Sequence, residues 1–263
     1  MQGTDRGRYS CKTRNGNWFE ESVLEDEKMR EFLEKKEKGT LTIQRIRQNL
    51  ASVDIPKPVE RSISDDPNLH YNQMIRIANV EKKCFVACDP GDAENAEEEM
   101  YSCSGSQQIE STARNVWILK KYQEKGRDLL TLATDDGEDD IVHYGDQFVL
   151  STTDSIGATP FYLASIASDW SHFSRISRKQ LVYSTDKLDY RCVWKIDSVG
   201  RDSSFDMEGE PIQLDTPVLI KHCSTNSPLA VRDSTIFNDY GSEFELVCAR
   251  EPGKKMIWHI TQH

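Results

Sequence analysis

LHYNQMIRIAN at 69–79, IVHYGDQFVLST at 141–152 and IQLDTPVLIKH at 212–222 decide the fold. Laid over one another, they bring Gln73, Asp146 and Asp215 into correspondence. Ile75, Phe148 and Pro217 fall two places later, and Ile77, Leu150 and Leu219 two later again. A period of two is the mark of a strand with one buried face. Each opener is followed by a further short apolar run: MYSCS at 100–104, FYLAS at 161–165 and PLAV at 228–231. Each series then reaches a tryptophan in a similar setting, VWILK at Trp117, VWKID at Trp194 and IWHIT at Trp258.

The opener spacings are 73 and 69 residues and the tryptophan spacings 77 and 64. Repeats of that length, each with about four short strands, exceed most solenoid units. Three such units closing on an axis give an all-β fold, a β-trefoil. No unit alone can bury its apolar face, whereas three make a barrel capped by hairpins with few free edges. Between 69 and 263, runs such as KCFVAC, LLTLAT, QLVYST, PVLIKH and FELVCA are punctuated by Gly, Pro, Asp and Ser. No clear helical pattern separates them, which argues against a parallel α/β sheet. The repeats span about 69–133, 141–207 and 212–263, with the trefoil domain at 66–263. Trp117, Trp194, Trp258, His143, Gly145 and Asp146 are its fold signature. The stretches DPGDAENAEEEM at 89–100 and DDGEDD at 135–140 read as solvated acidic loops between strands. The latter lacks the ligand alternation of a calcium loop.

Ahead of this domain the pattern differs. Residues 1–19 are polar and rich in turn formers, with Arg6, Arg8, Lys12 and Arg14 against Asp5, and read as an extended arm that has no reason to fold alone. Trp18 and Phe19 close the arm as a possible anchor. EESVLEDEKMREFLEKKEK at 20–38 predicts a helix, capped by Ser22 and stopped by Gly39, with acids early and lysines late to suit its dipole. A second short helix is expected over 41–51, ended by Pro56 and Pro58. The stripe Met29–Phe32–Leu33 is expected to pack on the protein's own body, with a partner lattice as the alternative. Residues 20–65 thus form short helices and a linker.

Composition narrows the chemistry. The 263 residues carry 33 Lys and Arg against 44 Asp and Glu, a net charge of -11. That balance disfavours general binding to phosphate backbones. No apolar run reaches the length of a membrane span, and no N-terminal signal peptide is read. Seven scattered cysteines without such a signal point to reduced thiols. Cys84 and Cys88, with Cys103 and His70 as conceivable companions, lack the second pair that a structural zinc site uses, so buried thiols are expected and no metal or cofactor. His222–Cys223 and Trp258–His259 are adjacent in strands and point to opposite faces. His70 and His143 occupy equivalent places and read as fold residues. No nucleophile elbow, zincin, phosphate-loop or dinucleotide motif occurs, so no enzyme is expected.

Two resemblances meet at these residues. HYGDQFVL at 143–150, PFYLAS at 160–165 and the closing Trp194 resemble the MIR-type β-trefoil of protein O-mannosyltransferases and intracellular calcium-release channels, which implies a fold and not a chemistry. More specifically, GNWFEESVLEDEKMREFLEKKEKGTLTIQR at 16–45, IVHYGDQFVL at 141–150 and HCSTNSPLAVRDSTIFNDYGSEFELVCA at 222–249 resemble the cilia- and flagella-associated protein 161 family. The positions that carry this match include Asn17, Trp18, Glu20, Phe32, Leu33, Glu34, Lys35, Gly39, Leu41, Gln44 and Arg45, and later His222, Cys223, Asn226 and Leu229. The resemblance implies a non-enzymatic microtubule inner protein in the cytoskeleton of the ciliary axoneme. Its implied partners are α/β-tubulin and neighbouring inner proteins, and neither nucleic acid nor membrane. Arg6, Arg8, Lys12, Arg14, Trp18, Phe19, Arg45 and Arg47 are the candidate contacts, the cations being expected to contribute more than the acidic loops. The alternatives are a lectin-like trefoil binding a carbohydrate or peptide, and a cytosolic scaffold.

Overall fold

Alternating apolar residues and helix-forming charges divide the chain between two compact units, Met1–Ser52 and Val53–His263. The computed structural model describes residues 18–37, 58–59, 66–95, 98–125, 129–132, 140–154, 156, 159–200 and 207–262. In the first unit, helix α1 spans Trp18–Glu37. Its Glu, Lys, Leu and Met are strong helix formers. It begins earlier than the sequence reading, so Trp18 and Phe19 open the helix instead of closing an extended arm. Ser22 therefore lies inside the helix and is not its cap. Leu24 is buried, while Met29, Phe32 and Leu33 are 60%, 49% and 50% exposed. The second helix expected over 41–51, and the loop at 135–139, lie outside the described residues.

The second unit is all-β. Its first strands are β1 (Met74–Asn79), β2 (Phe85–Asn95), β3 (Met100–Ser106), β4 (Trp117–Lys125) and β5 (Leu129–Leu132). Next come β6 (Gln147–Thr152), β7 (Tyr162–Ile166), β8 (Gln180–Thr185) and β9 (Val193–Ser198). The last are β10 (Pro217–His222), β11 (Ser227–Asn238), β12 (Gly241–Cys248) and β13 (Trp258–Gln262). Antiparallel pairings run from β1 to β4, β4 to β6, β6 to β9, β9 to β10, β10 to β13 and β13 back to β1. That closed ring leaves none of its members as a free edge. Hairpins β2–β3, β7–β8 and β11–β12 stand on it. Strands β3, β8 and β12 also pair with one another and draw the hairpins together.

The same bonds recur around this ring. Trp117, Trp194 and Trp258 are fully buried. Each donates its indole N–H to a strand carbonyl, of Val86 at 2.9 Å, Leu163 at 2.8 Å and Leu229 at 2.9 Å. A buried indole keeps its polar edge satisfied in this way. At one end of the ring the amide of Leu69 donates to Ile212, that of Ile212 to Val142, and that of Val142 back to Leu69. The flanking bridges Asn68–Gln213, His70–Ile141 and His143–Pro211 follow the same cycle.

These bonds correct two alignments. Asn72 (φ 60), Gly145 (φ 91) and Asp215 (φ 60) share one left-handed turn position, two residues before β1, β6 and β10. Their amides donate to Leu119, Ile196 and Ile260, each two residues past a signature tryptophan. Asp215 therefore matches Asn72 and Gly145, not Gln73 and Asp146. Asp, Asn and Gly are the residues that tolerate this conformation, so a match of like carboxylates misled by one place. Buried Val218 and Ile220 join Ile75, Ile77, Phe148 and Leu150 in the core, while Pro217 is exposed and Leu219 half-buried. The second correction concerns the first series. The equivalent of FYLAS and PLAV is β2, which holds Val86, and MYSCS is the strand after it. The acidic stretch from Asp89 to Asn95 is not a solvated loop but the far half of β2, with a register shift opposite Tyr101.

Candidate partner-binding surface

Several titratable groups of the body serve the frame. His222 is buried with its Nε2 3.0 Å from the Arg191 carbonyl and Nδ1 3.0 Å from the Thr225 hydroxyl. Burial lowers its pKa below the usual histidine value. Its neighbour Cys223 is half-buried, and burial pushes the thiol up to about 11. His143 donates its backbone amide to Asp146 Oδ2 at 2.9 Å, and Asp146 also accepts from the Tyr71 hydroxyl at 3.1 Å. Asp146 thus fixes the turn that Gly145 makes. Cys84, Cys88 and Cys103 are free buried thiols, and burial raises Cys84 and Cys88 to about 12. Among the described residues no group of three His, Cys, Asp or Glu side chains is placed to hold a metal ion. No helix among them is long and apolar enough to cross a membrane.

The hairpin end is held by a buried ion pair. Arg114 lies between β3 and β4 and is 1% exposed. Its two terminal nitrogens donate to Glu243 on β12 at 3.1 and 3.0 Å, its Nε donates to the Cys88 carbonyl at 3.0 Å, and its guanidinium lies 3.4 Å over the Tyr240 ring. Glu243 also accepts from Ser104 and Asn238, both at 2.6 Å. Burial opposes the charge of Glu243, but the Arg114 bonds outweigh it and hold the carboxyl down at about 2. Nearby Asp89 is pushed up to about 6 by burial, against the pull of Arg114.

The acids of β2 and of the β2–β3 turn are engaged by the β7–β8 connection and the segment after β8. Arg175 bonds Asp92 and Glu94 at 2.8 Å each. His172 lies between Asp169 at 3.0 Å and Glu98 at 3.1 Å. Lys187 pairs with Glu99 at 2.6 Å. Hydrogen bonding of the ring to the Asp169 carboxylate, opposed by burial and aided by Glu98, raises the His172 pKa. These charges join separate hairpins.

Among the described residues nine large apolar side chains are exposed. On α1 they are Met29, Phe32 and Leu33, and a shallow depression on that helix is lined by Glu25, Lys28, Met29 and Phe32. On the body, Trp170 is 91% exposed, Phe237 83% and Ile109 82%. A cavity of about 490 Å³ is lined by apolar groups including Leu219, Pro228, Met256 and Ile257, beside Lys221 and Arg250. Lys221 is already paired with Asp197. None of the described lining residues is aromatic.

Of the residues singled out from sequence, Arg6, Arg8, Lys12, Arg14, Arg45 and Arg47 lie outside the described residues. Trp18 and Phe19 sit in the first turn of α1. Sequence reasoning missed Trp170, His172, Arg175, Arg114 and Glu243. The one local signal was SDWSH at 168–172, a tryptophan in a polar stretch that belongs to no strand pattern.

Comparison with known proteins supplies the context. The profile of the cilia- and flagella-associated protein 161-like domain matches residues 96–255. Cilia- and flagella-associated protein 161 of Danio rerio is 28% identical over 256 residues, covering 90% of this chain and 80% of the relative. That of Mus musculus is 29% identical over 247 residues, covering 91% and 81%. In fold, the SDF2-like protein from Arabidopsis thaliana superposes with a TM-score of 0.56 at 20% identity, over 74% of this chain and 94% of that one. The S. cerevisiae protein O-mannosyltransferase Pmt1-Pmt2 complex gives 0.54 at 15% identity, over 83% and 28%. The matched span takes in β3, the buried Arg114–Glu243 pair, the braced β7–β8 connection and two of the three buried tryptophans within an all-β body, and on it this chain belongs to the cilia- and flagella-associated protein 161 family.

Proposed function

We propose that this chain is a structural microtubule inner protein of the ciliary axoneme. It is bound in the lumen of the doublet B-tubule to tubulin and neighbouring inner proteins, and supports doublet stability and motility without catalysing a reaction. The observation that carries this reading is the membership of a ciliary family joined to an exposed apolar helix face of Met29, Phe32 and Leu33. The body is read as a β-trefoil. Its six-strand ring, three hairpins and thrice-repeated indole–carbonyl bond are the arrangement that such a fold needs. A body closed in this way is a rigid block, and an extension that engages a repeating lattice gains from effective concentration, so no single contact has to be strong. A non-enzymatic role agrees with ionisable groups that are spent on bracing hairpins. The lectin-like alternative wants an aromatic platform beside polar groups, which the described residues of the cavity lining do not supply.

The test is a full-length M29S/F32S/L33S variant returned to ciliated cells that lack the endogenous protein. Its occupancy on purified doublets is expected to fall about 10-fold or more, as an apolar contact of three side chains implies. Its β-sheet melting should stay that of the parent. Undiminished occupancy removes the helix from the contact, and a wild-type chain absent from doublets removes the proposal.

A further inference from the structure

Residues 167–179, between β7 and β8, hold an exposed tryptophan on a loop that is tied down at both ends. Trp117, Trp194 and Trp258 are buried, whereas Trp170 is 91% exposed. Asp169 accepts from the amides of Ser171 and His172, both at 2.7 Å, and turns the chain around Trp170. His172 anchors that turn to Glu98, and Arg175 anchors the next one to Asp92 and Glu94 on β2. Glu245 on β12 accepts from the amides of Ile176 and Ser177, both at 3.0 Å. The hydroxyl of Ser174, itself buried, accepts from the amide of Lys179 at 3.0 Å. The loop is therefore fixed against two other hairpins before any partner arrives, and little ordering entropy remains to oppose binding.

Its outward groups have a definite chemistry. The same loop carries Ile176, 49% exposed, and Arg178 and Lys179 are exposed too. Arg178 lies over the Phe173 ring at 4.3 Å, and among the described residues neither cation forms an ion pair. In a chain of net charge -11 these are two positive charges on the loop that carries the exposed indole. Trp and Arg on a pre-ordered support are the residue types that anchor protein interfaces, and exposed cations select an acidic counter-surface.

We propose that the β7–β8 loop docks an acidic protein surface that has a recess for the Trp170 indole. This rests on the reading above, in which that surface belongs to the tubulin wall. A protein is favoured over an anionic membrane by the carboxylates in the same loop network. Asp169 and Glu98 are 47% and 42% exposed, and a uniform sheet of lipid phosphates would oppose them. A protein surface can place its charges around them.

The experiment measures binding of the full chain to purified α/β-tubulin, and in parallel to phosphatidylcholine–phosphatidylserine vesicles. W170A is expected to weaken tubulin binding about 30-fold, the scale of a central tryptophan anchor, with unchanged thermal melting. R178E/K179E is expected to weaken it about 10-fold and to flatten its salt dependence. Wild-type affinity in W170A overturns the proposal. So does binding to vesicles that W170A abolishes while tubulin binding persists. If M29S/F32S/L33S loses tubulin and W170A does not, only the loop assignment falls. If the wild-type chain shows no affinity for tubulin, the functional reading falls with it.

Discussion

Replacing Arg114 by alanine is expected to destabilise the body by about 3–5 kcal/mol, the cost of removing one partner from a buried ion pair. The variant strips Glu243 of two charge-assisted bonds and leaves a carboxylate that is 3% exposed. It also frees the Cys88 carbonyl and removes the cation over Tyr240. An R114M/E243L double variant should lose less than R114A, because the expense lies in the orphaned charge and not in the absence of the pair. The pH dependence has a definite sign. Glu243 is held down at about 2, against an ordinary 4.5. Its contribution is therefore complete above pH 4.5 and lost as pH falls from there toward 2. Asp89 acts oppositely, since its carboxyl is raised from 3.8 to about 6. Its part of the stability declines as pH rises across that interval. In R114A both carboxyls should take up protons more readily, so acid unfolding no longer gains from Glu243. Urea melts between pH 3 and 7 read this directly. An R114A melt within 1 kcal/mol of wild type at every pH contradicts the argument.

Trp194→Ala is the second large effect, at about 3–5 kcal/mol. The side chain is fully buried, and its loss leaves a cavity as well as an unpaired Leu163 carbonyl. Trp117→Ala and Trp258→Ala should cost the same within about 1 kcal/mol, because both indoles are fully buried and bond the equivalent carbonyls of Val86 and Leu229. Phenylalanine at any of the three keeps much of the volume and loses the N–H, which should cost about 1–3 kcal/mol. By contrast Trp170→Ala should stay within about 0.5 kcal/mol of the parent, since its ring is in solvent. Chemical denaturation of the four alanine variants distinguishes these cases. One framework tryptophan that tolerates alanine would end the equivalence of the three sites.

The strands and their buried tryptophans were legible because local alternation writes a half-buried strand into the sequence. Ile75 and Ile77, and Phe148 and Leu150, are core residues as their spacing implied. Turn register was not legible in the third series. Asp215 looks like Asp146 by side chain but does the work of Gly145 by backbone, and only φ distinguishes them. The acids of β2 read as solvated because their partners are remote. Arg175 is 83 residues from Asp92 and 81 from Glu94, and Arg114 is 129 from Glu243. No local pattern encodes such pairings. The helix at Trp18–Glu37 was legible from its composition, but its start was not, because an aromatic pair after a polar stretch suits a helix opening as well as an arm. The braced loop around Trp170 stayed hidden for the same reason as the acids, since its supports come from β2 and β12.

The most direct measurement is a density map of intact ciliary doublets at side-chain resolution. The account expects the hairpin-capped body inside the B-tubule, with Met29, Phe32 and Leu33 of α1 against a protein surface and Trp170 seated in an acidic one. Doublets whose lumen lacks this body, or a body whose α1 stripe and Trp170 both face open solvent, would contradict it.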